Sequence, residues 1–211
     1  MDKTQQITAS LEESLAWWQK ALLPLSRLYG AAAQTRRSLY ASGRRPAQRL
    51  FCPVISVGNI TAGGTGKTPM TVYLARRLKG RGISPLIVSR GYRGSASRAG
   101  GIVSDGSRIL MDAGQAGDEP YMMARLLPDV PVAIGRRRFD IAMAAIDQFS
   151  PDVIVLDDGF QHFQLIRDLD IVLLDHARPL DNTHLLPVGM LREPVDCLKH
   201  ADAVVFTRSD K

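Results

Sequence analysis

The chain has 211 residues, 45% of them apolar, which suits one α/β domain with an appended segment. Two widely separated cysteines, Cys52 and Cys197, make neither a disulfide framework nor a zinc pattern and are compatible with a reducing compartment. Net charge is +6 and unevenly spread: no acidic residue occurs between Glu13 and Asp105, whereas Lys and Arg occur there 15 times. Such a field attracts anions, whether phosphates, nucleic acid or an acidic membrane surface; a merely solvated basic face would intersperse some carboxylates.

Leu11, Leu15, Trp18, Leu22, Leu25 and Tyr29 recur at alternating steps of four and three, the stripe of an amphipathic helix. Pro24 falls inside it and is expected to kink or divide the helix. Lys20, Arg27, Arg36, Arg37, Arg44, Arg45 and Arg49 follow or flank the stripe. The uninterrupted apolar run, 21–25, is too short to cross a bilayer, and no secretory cleavage pattern follows. Two readings stay open here: a helix lying in the interface of an anionic membrane, or a helix packed on its own domain. Residues 1–45 are read as this basic membrane-interface segment and 46–211 as the main domain.

From residue 51 short apolar runs alternate with helical stretches. Strands are predicted at 51–57, 86–89, 130–134, 153–156, 171–174 and 203–206, and helices at 68–78, 119–127 and 137–149. That alternation predicts a parallel sheet flanked by helices on both faces.

Between the first strand and the first of these helices stands "ITAGGTGKTP", residues 60–69. It fits a phosphate loop except that Thr61 occupies the position of the usual first glycine. The context is right, because a strand precedes it and the helix that follows presents free backbone N–H groups to an anion. Thr61, Ala62, Gly63, Gly64, Thr65, Gly66, Lys67 and Thr68 therefore form the candidate nucleotide site. The glycines let the backbone curl round phosphate oxygens, Lys67 reaches the β/γ-phosphates and the Thr68 hydroxyl ligates Mg²⁺. Pro69 costs nothing in the first helical turn. The strand 153–156 ends in Asp157 and Asp158, which gives the carboxylates expected beside the metal. Alone that pattern is weak, since the 171–174 strand also runs into Asp175.

"SVGNITAGGTGKTP", "VSRGYRG", "GDEP", "DDGFQH" and "LLPVGMLREP" occur here in the order found in the tetraacyldisaccharide 4'-kinases, and across nearly the whole chain the sequence resembles that family. The resemblance implies a phosphate-loop NTPase-like fold preceded by an amphipathic helix. It implies transfer of the ATP γ-phosphate to the 4'-hydroxyl of an anionic acylated glucosamine disaccharide 1-phosphate in lipid A biosynthesis. It places the protein peripherally at the cytoplasmic face of the bacterial inner membrane, and the loop without its first glycine is usual in the family. Carried over residue by residue, Asp118 of "GDEP" is the base for the sugar hydroxyl, Glu119 assists in the outer metal shell, Asp157 and Asp158 match the metal-side carboxylates, and Gln161, His162 and Arg192 orient phosphate or substrate. From the sequence alone, Asp118 reads first as a helix N-cap, and it is the resemblance that makes it the base. Arg90, Tyr92 and Arg93 form a further contact for head group or nucleotide. The family continues into a smaller second α/β region that supplies a histidine partner for the catalytic Asp, and none of His176, His184 or His200 matches it. The expectation is an incomplete chain that binds ATP and Mg²⁺ but turns over poorly.

Rival readings are a phosphate-loop GTPase or ATPase switch, a nucleic-acid binder and a non-catalytic membrane-associated fragment. The first would show N-K-x-D or a Cys/His metal cluster, the second a recognisable binding module; neither is found, so no nucleic-acid partner is expected.

Overall fold

The structure, a computed structural model, describes residues 15–180 and 182–209. Leu11 and the terminal Asp210-Lys211 lie outside them. After helix α1 (Trp17–Ala41) come β1 (Val54–Asn59), α2 (Lys67–Lys79), β2 (Pro85–Ser89), β3 (Gly101–Ser104), α3 (Ala113–Ala116), α4 (Asp118–Leu126), β4 (Val132–Ile134), α5 (Arg138–Phe149), β5 (Val153–Asp157), β6 (Leu169–Asp175) and β7 (Ala203–Thr207). The strands form one seven-stranded sheet in the order β3-β4-β2-β5-β1-β6-β7.

Every pairing is parallel except β3 with β4, so the sheet is mixed rather than wholly parallel. The exception was hidden because "GIVS" is only four residues long and two of them are Gly and Ser, too little pattern for a strand. An antiparallel edge strand on a parallel sheet is a common arrangement. β1 and β4 begin later than the apolar runs suggest, after Pro53 and Pro131, whose missing N–H groups cannot join a ladder.

The two sheet faces hold separate cores. Val72 and Ala75 of α2 and Met123 and Ala124 of α4 pack on Val57, Ile87 and Val155. Ala142 and Ala145 of α5 pack on Leu86, Val88, Ile154 and Leu156. Alternate residues of β2 and β5 thus point into opposite cores, which explains their unbroken burial.

α1 runs unbroken through Pro24, contrary to the expected division. Contacts on both sides of the proline hold it: Gln19 Nε2 donates to Val188 O at 3.3 Å and Ser26 Oγ to Leu185 O at 2.8 Å. The apolar stripe is also split. Leu22 is half-buried, but the deepest residues of the helix are Ser26 and Gly30, small enough for close approach to the 184–193 segment. Trp18, Leu25 and Tyr29 are exposed, as are Trp17 (82%) and Leu28 (66%). α1 is therefore packed on its own domain by one face while large apolar side chains occupy the other. Among the described residues no helix is long and apolar enough to cross a membrane.

Candidate active site

β1 delivers the chain into the glycine loop at the C-terminal ends of the parallel strands, where open α/β sheets bind ligands. Thr61 does not adopt a positive φ, so no glycine is needed there. Instead it is buried and its backbone bridges Leu191, while Ala62 N donates to Met190 O at 2.6 Å. The loop is thus stitched to the "LREP" segment at the very position where the glycine pattern fails. Gly66, with φ 81°, ψ 21°, makes the left-handed turn that opens α2. Asn59 Nδ2 donates to Thr65 Oγ1 at 2.8 Å and fixes the loop from inside.

Asp157 ends β5 beside β1 and is 1% exposed. Ser89 Oγ donates to one of its oxygens at 3.0 Å and Thr71 Oγ1 to the other at 3.4 Å. Burial, and next the neighbouring Asp158 charge, push its carboxyl up to about 6. Asp158, at φ 50°, turns out of the strand into the open. Its carboxylate lies 3.6 Å from Lys67 Nζ and 3.3 Å from Arg192 Nη1, between the phosphate loop and the "REP" arginine.

Two clefts meet at that carboxylate. The first, about 620 Å³, is lined by Gly63 to Pro69, Ser89, Arg90, Tyr92, Glu119, Asp157, Asp158 and Arg192. The second, about 670 Å³, shares Arg90, Asp158 and Arg192 and extends over Gln161, His162, Arg36, Arg136 and Arg138 to Tyr29, Ala32 and Ala33 of α1. Five arginines against two carboxylates make this second cleft an anion site. Arg138 is buried, and burial above all lowers its pKa. Its Nη1 lies 3.2 Å from His162 Nδ1. A guanidinium only donates, so Nδ1 accepts and the proton of the neutral ring sits on Nε2. Burial first, then the surrounding arginines, hold His162 at about 3. Nε2 has no partner among the described residues, nor has Arg138 Nε.

The remaining sequence-predicted residues fall unevenly. Gln161 donates to Asn59 O at 2.7 Å at the edge of the second cleft. Arg90 serves both clefts, whereas Arg93 curls over the Tyr92 ring at 5.4 Å in a separate hollow. Asp118 is the first residue of α4; the cap is Gly117, so the helix-cap alternative for Asp118 is not realised. Gly117 itself must be glycine, since φ is 89° and a Cβ would stand 2.4 Å from Tyr92 O. Asp118 is exposed and lines neither cleft, although Glu119 beside it lines the first.

Sequence reasoning missed Arg136, Arg138 and the role of Arg37. Arg37 Nε donates to buried Glu193 at 3.0 Å, and its guanidinium lies over Phe160 (5.0 Å) and Phe163 (4.7 Å), clamping α1 to the "DDGFQH" turn. Arginines 136–138 directly after a strand end, on the ligand-binding edge of a parallel sheet, were the available signal.

Strand, glycine loop and helix, with paired carboxylates on the adjacent strand, define a phosphate-loop nucleotide-binding α/β protein. Comparison with known proteins narrows this. The sequence profile of LpxK, tetraacyldisaccharide-1-P 4'-kinase, matches residues 18–211. The tetraacyldisaccharide 4'-kinase of Geobacter sulfurreducens is 50% identical over 181 residues, 86% of this chain and 51% of that protein. That of Pelobacter propionicus is 47% identical over 187 residues, 89% and 52% respectively. A solved structure of LpxK from Aquifex aeolicus, in complex with ATP, superposes with a TM-score of 0.84 at 43% identity, covering 90% of this chain and 59% of that one. The chain belongs to the tetraacyldisaccharide-1-P 4'-kinase family, and it spans about half the length of the curated relatives it matches.

Proposed function

We propose that this chain forms the nucleotide-binding part of an ATP-dependent kinase that phosphorylates the 4'-hydroxyl of tetraacyldisaccharide 1-phosphate in lipid A biosynthesis. The observation that carries this is the meeting of two clefts at Asp158 and Arg192: one bears the phosphate loop, the other five arginines and a wall of α1. A GTPase switch needs only the first cleft. An enzyme that joins a triphosphate to an anionic lipid needs both, with the transferred group at their junction.

In this reading the loop N–H groups cradle the α/β-phosphates, Lys67 reaches the β/γ-phosphates, and Arg192 neutralises charge on the phosphoryl group in flight. Mg²⁺ in such sites takes one or two carboxylates plus phosphate oxygens and keeps several waters, so it needs no protein cage. None exists among the described residues, but Thr68, Glu119 and Asp158 line the first cleft and Asp157 stands behind them. When bound, the ion neutralises charge on the β- and γ-oxygens. Asp118 is the proposed proton acceptor for the sugar hydroxyl. Its place in the chain beside Glu119, which lines the first cleft, supports the assignment.

The lipid acceptor gives the exposed face of α1 a role. Trp17, Trp18, Leu25 and Leu28 would enter the interface of the cytoplasmic leaflet, with Lys20 and Arg27 at anionic head groups. The second cleft opens beside the same helix.

Incubating the chain with γ-labelled ATP, Mg²⁺ and the lipid disaccharide in micelles tests the reading. Slow labelling of the 4'-position, abolished by Lys67→Ala, is expected. A chain that binds ATP but labels no lipid, even when supplied with the remaining part of a relative's sequence, overturns the acceptor assignment.

A further inference from the structure

The phosphate loop is held from a side the sequence gives no reason to examine. Thr207, the last residue of β7, directs its hydroxyl to Thr65 O at 3.0 Å, nearer than its other acceptor, Leu174 O at 3.3 Å. Arg208 Nη2 donates to Gly64 O at 2.5 Å. Arg208 Nη1 is braced by Asp175 at the end of β6, at 2.6 Å, and β6 and β7 are paired from Ile171 with Ala203 to Asp175 with Thr207. Two consecutive loop carbonyls are therefore tied to the end of β7 and the residue after it.

In a trans peptide the C=O and the following N–H point in opposite directions. Pulling the carbonyls of Gly64 and Thr65 toward β7 aims the N–H groups of Thr65 and Gly66 the other way, into the cleft. A loop with three glycines in four residues otherwise spends little time in that shape, because glycine has the most backbone freedom to lose. We propose that Thr207 and Arg208, braced by Asp175, are positioning residues for the nucleotide: they pre-form the loop's N–H cradle by holding its carbonyls outward. The inference rests on the nucleotide reading above and adds to it residues that lie outside the loop and its carboxylates. Arg208 also borders the cleft, so the rival account is a direct contact with the terminal phosphate.

The cradle serves phosphates that ATP and ADP share, and this separates the accounts. Titration of the chain with ATP and with ADP, each with Mg²⁺, should show Thr207→Val and Arg208→Gln weakening both nucleotides in equal proportion, by about 3- to 10-fold for each lost hydrogen bond. Thr207→Ser should restore binding, and the melting temperature of the nucleotide-free variants should stay at the wild-type value. Wild-type affinity in both variants overturns the inference, as does a loss confined to ATP in Arg208→Gln, which marks a terminal-phosphate contact. A loss in Thr207→Val that Thr207→Ser does not restore, or one that tracks a lowered melting temperature, also overturns it. Failure of the unmutated chain to bind either nucleotide refutes the nucleotide reading itself.

Discussion

Asp158 stands between Lys67 and Arg192, and its carboxylate offsets the repulsion of the two cations. Lys67→Ala removes the charge that would meet the β/γ-phosphates while leaving the core untouched. Charge-assisted contacts are worth about 1.5–3 kcal/mol, so affinity for ATP·Mg²⁺ should fall by about 10- to 150-fold in a titration. Asp118→Asn tests the base: kcat should drop by about 10²–10⁴-fold with ATP affinity little changed, measured once turnover is established. A third residue answers to pH. His162 titrates at about 3 in the fold against 6.5 ordinarily. Between those values the unfolded chain binds more protons, so the stability this neutral imidazole contributes is complete above pH 6.5 and is lost as pH falls toward 3. In His162→Gln, urea midpoints at pH 7 and pH 5 should lie closer together than in the parent. At this scale the sequence was legible where chemistry is local: the loop from Gly63 to Thr68, Asp157-Asp158 and Arg192 all line the first cleft, whereas Thr61 and Ala62 do not. Arg138 was not, because its partner His162 is 24 residues away and only the fold brings them to 3.2 Å.

Helices and strands were read well where their apolar pattern is long, as in β5 or α5, and poorly where tertiary contacts decide. α1 is the clearest example: its apolar stripe left open whether membrane or domain would cover it, and close approach to the 184–193 segment selected Ser26 and Gly30 for the inner face. The large side chains were left outside. Changing Trp17 and Leu28 together to Glu should therefore cost little stability and yet reduce co-sedimentation with anionic vesicles. Raising salt should weaken binding of the parent chain, since its arginines act through a screened field. Indifference to both would leave the outer face without a membrane role. The "VGN" end of β1 makes a packing prediction of the opposite kind. A Cβ on Gly58 would lie 2.5 Å from Phe160 Cβ and 2.9 Å from its backbone nitrogen, neither of which can yield cheaply. Gly58→Ala should lower unfolding stability by about 1–3 kcal/mol and disturb the "DDGF" turn with it.

Over the whole molecule, the run of sequence without carboxylates becomes a place. Arg36, Arg90 and the loop come from the acid-free half, Arg136, Arg138 and Arg192 from the other, and all gather where the parallel strands end. The segment 184–193 links that edge to α1. Its backbone accepts from Gln19 and Ser26 and, through Arg192 O, from Tyr29, all on the helix. The same ten residues accept from Ala62 N and donate to Ile60 O at the loop. One short stretch of main chain is thus shared by the surface proposed to meet lipid and the surface proposed to meet nucleotide. Any coupling carried by that shared stretch is mutual by equilibrium thermodynamics. If occupancy of the loop tightens the grip of α1 on a bilayer by some factor, the bilayer must tighten the grip of the loop on its nucleotide by the same factor.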